Sequence, residues 1–491
     1  MSTMVAAPPA AAPTTPAHAK RLRTPLALVL LVVASWALVL NNGVFIDEAV
    51  YIRAGRAYLD HWLHGAALPE NIGQGFSGLP QVYPVLAGAL DMVGGLALVR
   101  AFSLVCIIVT MLLLRSIASQ IFNYRTGLVT AAIFGLTAPV MYVAHLGTFD
   151  ALVILLLVTA WWLGMHEGWD VALLLGPLLA LAVATKYTAA VFVPPLLVLS
   201  CFRTYSLAHS STLRDWLRPH LPWERIGRAV LAGMFAATLL WLAYASTNAT
   251  TREALAFTTT GRAALSPTPR GQLIGAVPDF VWPAFFAALL GLIWLFRARR
   301  WTGVLWGLLL VGTALLLPVA QIKIGEGVSF QKHLAYSAAF LAPLAGWGFA
   351  RPWKLAIWTP VLCWWLILMG VWGMFRSNDL IMYPDVRPVA QVMDFTKQGI
   401  YLSSSADSLH YYTRENPAAV WETTFELYSK GDDIIRLSVE QGWYNAFIIH
   451  AGPTGSTIQD AGQKVLLDAL DKSNYTLTEV GENGEWLVYT A

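Results

Sequence analysis

The stretch "TPLALVLLVVASWALVLNNGVFIDEAVYIRAGRAYL", residues 24–59, decides the fold of this chain. It opens with seventeen almost wholly apolar residues, and two adjacent carboxylates, Asp47 and Glu48, follow shortly after them. Because about 20 apolar residues are needed to cross roughly 30 Å of hydrocarbon, the run predicts a membrane-spanning helix with acids near its end. Acids close to hydrocarbon are costly to desolvate, so their presence points to a function rather than to packing.

The whole chain has the composition of a polytopic membrane protein. Of its 491 residues, 57% are hydrophobic and only 12% are charged, and its mean hydropathy is +0.57. Soluble proteins carry about 25% charged residues. Residues 80–99 are apolar but are broken by Pro84, Asp91 and the pair Gly94 and Gly95, so we expect a juxtamembrane helix there. Eleven spans are predicted, at about 24–41, 100–118, 126–143, 151–165, 171–185, 188–202, 226–246, 277–297, 302–320, 333–350 and 355–375.

The distribution of basic residues predicts the orientation. With the N-terminus in the cytoplasm, the cytoplasmic connections include the basic segments "CFRTYSLAHSSTLRDWLRPHLPWERIGR" and "RARR", as the positive-inside rule requires. The loops 42–99, 247–276 and 321–332 then lie outside, together with the C-terminal domain. We therefore expect a multi-pass protein of the plasma (cytoplasmic) membrane, with a cytoplasmic N-terminus and an extracytoplasmic C-terminal domain.

Composition divides the chain into three parts. Residues 1–19 are rich in Ala, Pro and Thr and are predicted to be disordered. Residues 20–375 form the membrane domain. Residues 376–491 carry 8 basic and 16 acidic residues, which leaves 24 basic and 13 acidic residues in the rest of the chain. This acidic tail has an ordinary soluble composition, so we predict a separate domain.

The C-terminal domain is predicted to be a small α/β domain. "GIYLSS", "AAVWET" and "NAFIIHA" are typical of strands, "DDIIRLSVEQG" and "STIQDAGQKVLLDALDKSN" of amphipathic helices, and "GENG" of a hairpin turn. The sequence has no GxGxxG or Walker-type loop, so we expect neither a nucleotide site nor a nucleic-acid partner. Trp421, Trp443 and Trp486 could stack on sugars or could form the core. The domain could recognise an acceptor or a partner, or could cover the site passively.

Charged residues from distant segments end at the predicted outer face. Each has a simpler interpretation, since Asp47 and Glu48 could start a helix, Asp150 could cap one, and Lys186 could snorkel to the interface. Their convergence on one face is the stronger observation. The candidate functional residues are Asp47, Glu48, Asp150, Lys186, Arg262, Arg270, Lys332 and His333.

The pattern of these charges favours group transfer from a phosphate-activated donor. Asp47 and Glu48 are adjacent, so on a helix they point roughly 100° apart and cannot face each other as a pair. This argues against the two-acid arrangement of glycosidases. One general base suffices when the leaving group is a phosphate, because nearby Lys or Arg side chains stabilise the departing anion.

The sequence also resembles a known family. The "DEA" of "FIDEAVYIRAGRAYL" follows the first span, and "QVYPVLAGALDMVGGLALVRAFSLV", "SQIFNYRTGLVTAAIFGLTAPVMYVAHLGTFDALVILLL", "LALAVATKYTAAVFVPPLLVL" and "KHLAYSAAFLAPLAGWGF" come after it in order. Together these segments resemble the GT-C integral-membrane glycosyltransferases of the protein O-mannosyltransferase and aminoarabinose transferase group. The resemblance implies a GT-C fold and a sugar donor carried on a polyprenyl phosphate. The acceptor would be a hydroxyl of a lipid, glycan or protein.

The resemblance further implies roles for individual residues. Asp47 would be the catalytic base, Glu48 its support, and Asp150 the second acid of the site. Family members often carry a His-Pro-Pro-like element where this chain has "QVYP", so Tyr83 takes a substrate-binding position here. The resemblance places Lys186, Lys332 and His333 near the lipid phosphate. Because of the departure at "QVYP", Arg262 and Arg270 stay open as further candidates for that contact.

The predicted mechanism is a single inverting displacement with no covalent sugar–enzyme intermediate. For the cofactor we expect either no metal or a weakly held divalent cation near Asp47 and Asp150. Two other functions stay open at this point. The chain could be a transporter or flippase for a polyprenyl-linked glycan, although its charges cluster at one face rather than at mid-span. It could also be a non-enzymatic envelope assembly protein.

Overall fold

A computed structural model describes residues 23–39, 42–69, 72, 75–201, 223–258, 268–327, 329–350, 358–395, 398–414, 416, 418–454, 457–481 and 484–491. The predicted disordered segment 1–19, most of the basic loop after residue 201, and Arg262 lie outside the described residues. The first part of the chain is helical. Its helices are α1 (Arg23–Val39), α2 (Ile46–His64), α3 (Tyr83–Ile121), α4 (Tyr124–Gly135), α5 (Ala138–His145), α6 (Phe149–Gly164), α7 (Asp170–Thr185), α8 (Val193–Ser200), α9 (Trp223–Ser246), α10 (Ala249–Ala256), α11 (Arg270–Arg297), α12 (Trp301–Ile324), α13 (Phe330–Ala350) and α14 (Trp358–Ile381), with a 3-10 helix at Tyr187–Phe192.

Each of the eleven predicted apolar segments coincides with one of these helices or with a consecutive pair. Among the described residues, five helices (α3, α9, α11, α12 and α14) are long and apolar enough to cross a membrane individually. The pair α4 and α5, bent by 66°, could make a sixth. Shorter apolar helices account for most of the rest. The polytopic helical fold is therefore confirmed, while the number of spans and their orientation stay predictions.

Several helices extend into regions that the sequence assigned to loops. Helix α14 continues to Ile381, six residues beyond the predicted domain boundary. The predicted outer loop 321–332 is mostly helical, because α12 ends at Ile324 and α13 begins at Phe330. Apolar content identifies only the part of a helix that can face lipid. A prediction based on it therefore omits the polar turns at the ends of the helix.

Helix α3 joins the predicted juxtamembrane helix to the second predicted span. Its axis breaks at Gly94 and Gly95, and Gly95 has a left-handed φ of 65°, which only glycine adopts without strain. Helix α2 crosses the first half of α3 through two other glycines. A Cβ at Gly55 would lie 1.8 Å from the carbonyl oxygen of Pro84, and one at Gly88 would lie 2.6 Å from the backbone nitrogen of Arg56. The crossing therefore depends on close backbone contact.

The C-terminal domain is the predicted α/β domain. Its sheet has five strands, numbered in chain order: β1 (Gly399–Ser403), β2 (Ala419–Thr423), β3 (Ala446–His450), β4 (Thr476–Val480) and β5 (Trp486–Thr490). They pair in the order β2-β1-β3-β5-β4. Strand β1 runs parallel to β2 and β3, and the last two strands form an antiparallel hairpin, as predicted. The elements after α14 are α15 (Arg387–Val392), β1 (Gly399–Ser403), α16 (Ala406–Thr413), β2 (Ala419–Thr423), α17 (Thr424–Tyr428), α18 (Asp432–Glu440), β3 (Ala446–His450), α19 (Thr457–Leu470), β4 (Thr476–Val480) and β5 (Trp486–Thr490).

The three tryptophans of this domain differ in exposure. Trp486 is completely buried and packs with Val389 and Ile448 on one face of the sheet. Trp421 packs beside Tyr401, with ring centroids 5.3 Å apart. Trp443 is 38% exposed. Trp486 therefore belongs to the core, and Trp443 is the most accessible of the three candidates for contact with a sugar.

Candidate functional site

The start of α2 positions the two adjacent carboxylates differently. The helix begins at Ile46, after Phe45 in extended conformation, and both acids lie in its first turn. Phe45 donates its backbone N–H to Glu48 Oε2 at 2.8 Å. Glu48 thus caps the helix from within, while Asp47 projects on another side. Asp47 and Glu48 can therefore both start the helix and have a functional role.

Glu48 is fully buried in a dense set of hydrogen bonds. Arg100, on α3, donates Nε to Oε1 at 2.9 Å and an Nη to Oε2 at 2.7 Å. The backbone N–H of Gly147 donates to Oε1 at 2.6 Å. A bidentate arginine and two backbone donors satisfy both carboxylate oxygens. This geometry leaves no face of the carboxylate for a substrate. The supporting role that the sequence predicts for Glu48 stays a prediction.

Asp47 is the accessible carboxylate of the site. Its side chain is 32% exposed, whereas those of Glu48 and Asp150 are fully buried. Lys332, in the first turn of α13, lies 2.5 Å from Asp47 Oδ2 and is itself 5% exposed. The ammonium also lies 5.1 Å from the ring centroid of Phe45. The partly exposed Asp47 therefore forms an ion pair with the buried Lys332 at the solvent-accessible edge of the cluster.

Asp150 forms the interior of the same cluster. Lys186 donates to its Oδ1 at 2.6 Å, Tyr336 donates to the same oxygen at 3.0 Å, and Thr148 donates to Oδ2 at 3.3 Å. Lys186 is 2% exposed and lies 4.6 Å from the ring centroid of Phe149. The snorkelling interpretation of Lys186 is thus wrong, because its ammonium faces inward to a buried partner.

His333 follows Lys332 in the first turn of α13 and has a defined tautomer. The side-chain Nε2 of Gln321 donates to the carbonyl oxygen of Glu326 at 3.3 Å, so its Oε1 is the atom that faces His333 Nδ1 at 2.7 Å. Nδ1 then carries a proton, and in the neutral imidazole Nε2 keeps a lone pair. In that neutral form Nε2 cannot donate to a phosphate oxygen, and the contact of His333 with the lipid phosphate stays a prediction.

The other predicted substrate contacts are Tyr83, Arg270 and Arg262, and the structure describes the first two. Tyr83 is 1% exposed and packs edge-on against Tyr51 and Phe149, in the aromatic cluster behind Asp150. Arg270 is exposed at the start of α11, where it donates to the carbonyl oxygen of Lys323 at 3.2 Å. Arg262 lies outside the described residues. The roles assigned to all three remain predictions.

Arg100 and Tyr336 belong to the cluster but were not predicted from the sequence. In the sequence, Arg100 is a single charge at the start of the apolar run 100–118, and no local pattern shows its partner. Tyr336 stands four residues after Lys332, and this spacing places both on one face of a helix, so the pattern could have identified it. Both residues bind a buried carboxylate in the structure.

The carboxylates of the site are engaged by cations in the structure. Asp47 pairs with Lys332 and Asp150 with Lys186. Within the part of the chain that is described, no group of three or more His, Cys, Asp or Glu side chains could hold a metal ion. The two alternatives for the cofactor, no metal or a weakly held one, both remain predictions.

Loops from several predicted outer segments meet around this cluster. The backbone N–H of Tyr187 donates to the carbonyl oxygen of Ser77 at 2.7 Å. The backbone N–H of Leu79 donates to the carbonyl oxygen of Ala184 at 2.8 Å. The backbone N–H of Thr268 donates to the carbonyl oxygen of Gly325 at 2.8 Å. These contacts join segments that the sequence assigned to the outer face, and their assignment to that face stays a prediction.

Comparison with known proteins places this architecture in context. The family model described as dolichyl-phosphate-mannose-protein mannosyltransferase matches residues 88–241, about a third of the chain, from α3 to α9. A comparison with curated proteins gave no significant match in sequence.

Solved structures share the fold over nearly the whole chain. ArnT from Cupriavidus metallidurans, bound to undecaprenyl phosphate, is 14% identical with a TM-score of 0.59, and the match covers 97% of this chain and 98% of that one. The oligosaccharyltransferase AglB from Archaeoglobus fulgidus, in complex with an inhibitory peptide and a dolichol-phosphate, is 10% identical with a TM-score of 0.53, and the match covers 96% of this chain and 74% of that one. The predicted resemblance to the GT-C glycosyltransferases is confirmed by the matched family segment and by the fold.

Proposed function

We propose that this protein is an inverting glycosyltransferase that moves a sugar from a polyprenyl-phosphate donor to an acceptor hydroxyl at the outer face of the membrane. The observation that carries the proposal is the contact between Asp47 and Lys332 at the mouth of the buried cluster. It places one accessible base beside one cation. The ligands of the structurally similar proteins, undecaprenyl phosphate in ArnT and a dolichol-phosphate in AglB, support the choice of donor class.

In the proposed reaction Asp47 is the general base. The acceptor oxygen attacks the anomeric carbon and passes its proton to the Asp47 carboxylate, while the bond between that carbon and the phosphate oxygen breaks. The electron pair of this bond leaves with the polyprenyl phosphate, whose new negative charge Lys332 stabilises. One displacement inverts the anomeric configuration. Asp47 then returns its proton to water.

The buried residues act by positioning. Glu48 and Arg100 fix the first turn of α2, and thereby the direction of Asp47. Asp150 is fully enclosed, so it serves to hold Lys186 and Tyr336 in place rather than to contact substrate. The lone pair on His333 Nε2 suits it to accept a hydrogen bond from a hydroxyl. The acceptor class stays open among lipid, glycan and protein.

Transfer from a labelled polyprenyl-phosphate sugar tests the proposal. Sugar transfer and donor binding are measured in membrane vesicles for the wild type and for Asp47→Asn, and the anomeric configuration of the product is read by NMR. Asp47→Asn should lose transfer by at least about 100-fold and still bind donor. Asp60→Asn is the matched control, because Asp60 lies exposed on the same helix.

The same experiment separates the alternative functions. If Asp47→Asn transfers sugar normally, the base assignment is wrong. If the wild type moves the lipid-linked sugar across the membrane without transferring it, the transporter function is correct instead. A product with retained configuration would contradict the single displacement.

A further inference from the structure

The four residues before α2 have no regular structure, so their backbone polar groups need partners from elsewhere. Buried N–H and C=O groups are almost always paired in native proteins. The segment formed by residues 42–45 is bounded by α2, which carries Asp47 in its first turn. The hydrogen-bond partners of residues 42–45 therefore determine what holds Asp47, the proposed base, in place.

The partners of segment 42–45 come from distant parts of the sequence. Arg100 donates to the carbonyl oxygen of Asn42 at 3.0 Å and to that of Gly43 at 2.7 Å. Tyr383, just after α14, also donates to the Gly43 oxygen, at 2.8 Å. Asn42 donates its side-chain Nδ2 to the carbonyl oxygen of Ile381 at 2.6 Å. The connection between the membrane domain and the C-terminal domain thus binds the segment directly.

The C-terminal domain supplies another partner. The buried Val44 donates its backbone N–H to the hydroxyl oxygen of Tyr412, on α16, at 2.9 Å. The space beside the segment is filled as well, because a Cβ at Gly43 would lie 2.5 Å from Asp385 Oδ1 and 3.5 Å from the Tyr412 hydroxyl. The domain is therefore in contact with the segment that leads to Asp47.

Ion pairs fix α16 in this position. The side chain of Asp91, on α3, is fully buried. It accepts from Tyr411 of α16 and from Arg414, the residue that follows α16, each at 2.8 Å, and from Arg56 of α2 at 2.6 Å. Burial and the bond to Asp91 raise the pKa of Tyr411 to about 12, so Tyr411 keeps its proton as a donor at neutral pH. Asp91 joins α2, α3 and α16 into one unit. The position of Tyr412 follows from that unit.

We propose that the C-terminal domain is a structural part of the active site, with Tyr412 and Tyr383 as positioning residues that hold segment 42–45 and so direct Asp47. This inference rests on the proposed function for the role of Asp47, but the contacts do not depend on it. It assigns the domain a role besides acceptor recognition or passive cover. The role is exerted through the backbone of residues 42–45, not through contact with substrate.

The test compares two tyrosine variants of the full-length protein. Tyr412→Phe removes the acceptor for Val44 and little else. Tyr444→Phe is the matched control, because the Tyr444 hydroxyl lies in the same domain and donates to Glu422 at 2.7 Å, away from the segment. Hydrogen exchange of peptides covering residues 42–48 is measured by mass spectrometry, together with kcat and the donor KM.

Tyr412→Phe should speed exchange in the 42–48 peptides and lower kcat by roughly 10- to 100-fold, with the donor KM unchanged. Tyr444→Phe should change none of these. Unchanged exchange and kcat in Tyr412→Phe would overturn the proposal, as would an equal loss in Tyr444→Phe. Should Tyr412→Phe fail to fold, Arg414→Gln loosens the same end of α16 from Asp91 and should give the same pattern.

The exchange readout keeps this proposal separate from the proposed function. If Asp47→Asn proves active, the catalytic assignment fails, yet faster exchange in Tyr412→Phe would still show that the C-terminal domain holds the segment. If Asp47→Asn is inactive and exchange in Tyr412→Phe is unchanged, the proposed function stands and the positioning role falls.

Discussion

Replacing Lys186 by methionine should destabilise the protein by about 3–5 kcal/mol, because the substitution leaves a buried carboxylate without its cation. Asp150 is fully buried, and Lys186 lies 2.6 Å from its Oδ1. The other direct donors, Tyr336 and Thr148, are neutral hydroxyls. They cannot replace the charge.

This cost can be expressed as a change in Tm. A chain of 491 residues has an unfolding entropy of about 1 kcal/mol/K at roughly 2 cal/mol/K per residue. The expected fall in Tm is therefore about 3–5 °C. Removing both charges, in Asp150→Leu with Lys186→Met, should restore most of that loss, because no unpaired charge remains.

Thermal unfolding in detergent, followed with a thiol-reactive dye, measures the effect. Cys106 is 2% exposed on α3, so it reacts when the bundle opens. Lys323→Met serves as the control, since Lys323 is an exposed lysine at the end of α12. A Lys186→Met protein as stable as the wild type, or a double variant less stable than the single one, would refute the reasoning.

Three more outcomes are expected. Gly55→Ala should prevent normal assembly of α2 on α3, because its Cβ would meet the Pro84 carbonyl oxygen at 1.8 Å; expression level and Tm measure this, and normal values would contradict the observed crossing. Glu48→Gln should reduce kcat by about 10-fold or more at unchanged donor KM, since Arg100 loses a charged partner; an unchanged kcat would remove its supporting role. Trp486→Ala should lower the free energy of unfolding of the C-terminal domain by about 3–5 kcal/mol. Limited proteolysis detects this loss as faster cleavage within the domain.

The sequence was sufficient for the architecture because each of its signals is local. Apolar runs predict helices of a length that spans a membrane, and alternating apolar residues predict strands. The eleven apolar segments and the terminal hairpin accordingly appear where they were predicted. The Gly94–Gly95 break was also visible, because a glycine pair interrupts a helix by its own backbone freedom.

The sequence was less informative about the functions of individual charges. It grouped Asp47, Glu48, Asp150, Lys186 and Lys332 at one face but could not pair them. Pairing depends on which helices pack together, and residues 47 and 332 are brought together only by the folded bundle. For the same reason Asp91 was visible only as an interruption of an apolar segment, although it binds three side chains in the structure.

Taken by itself, the sequence determined a helical membrane domain, an acidic α/β domain, and a set of charges at the same end of the bundle. The tertiary structure alone decided that Asp47 is accessible while Glu48 and Asp150 are enclosed. It alone placed Tyr412 against Val44. The physical reason is that burial and ion pairing belong to the space between elements. Side chains from distant parts of the chain fill that space, and no local pattern encodes which of them meet.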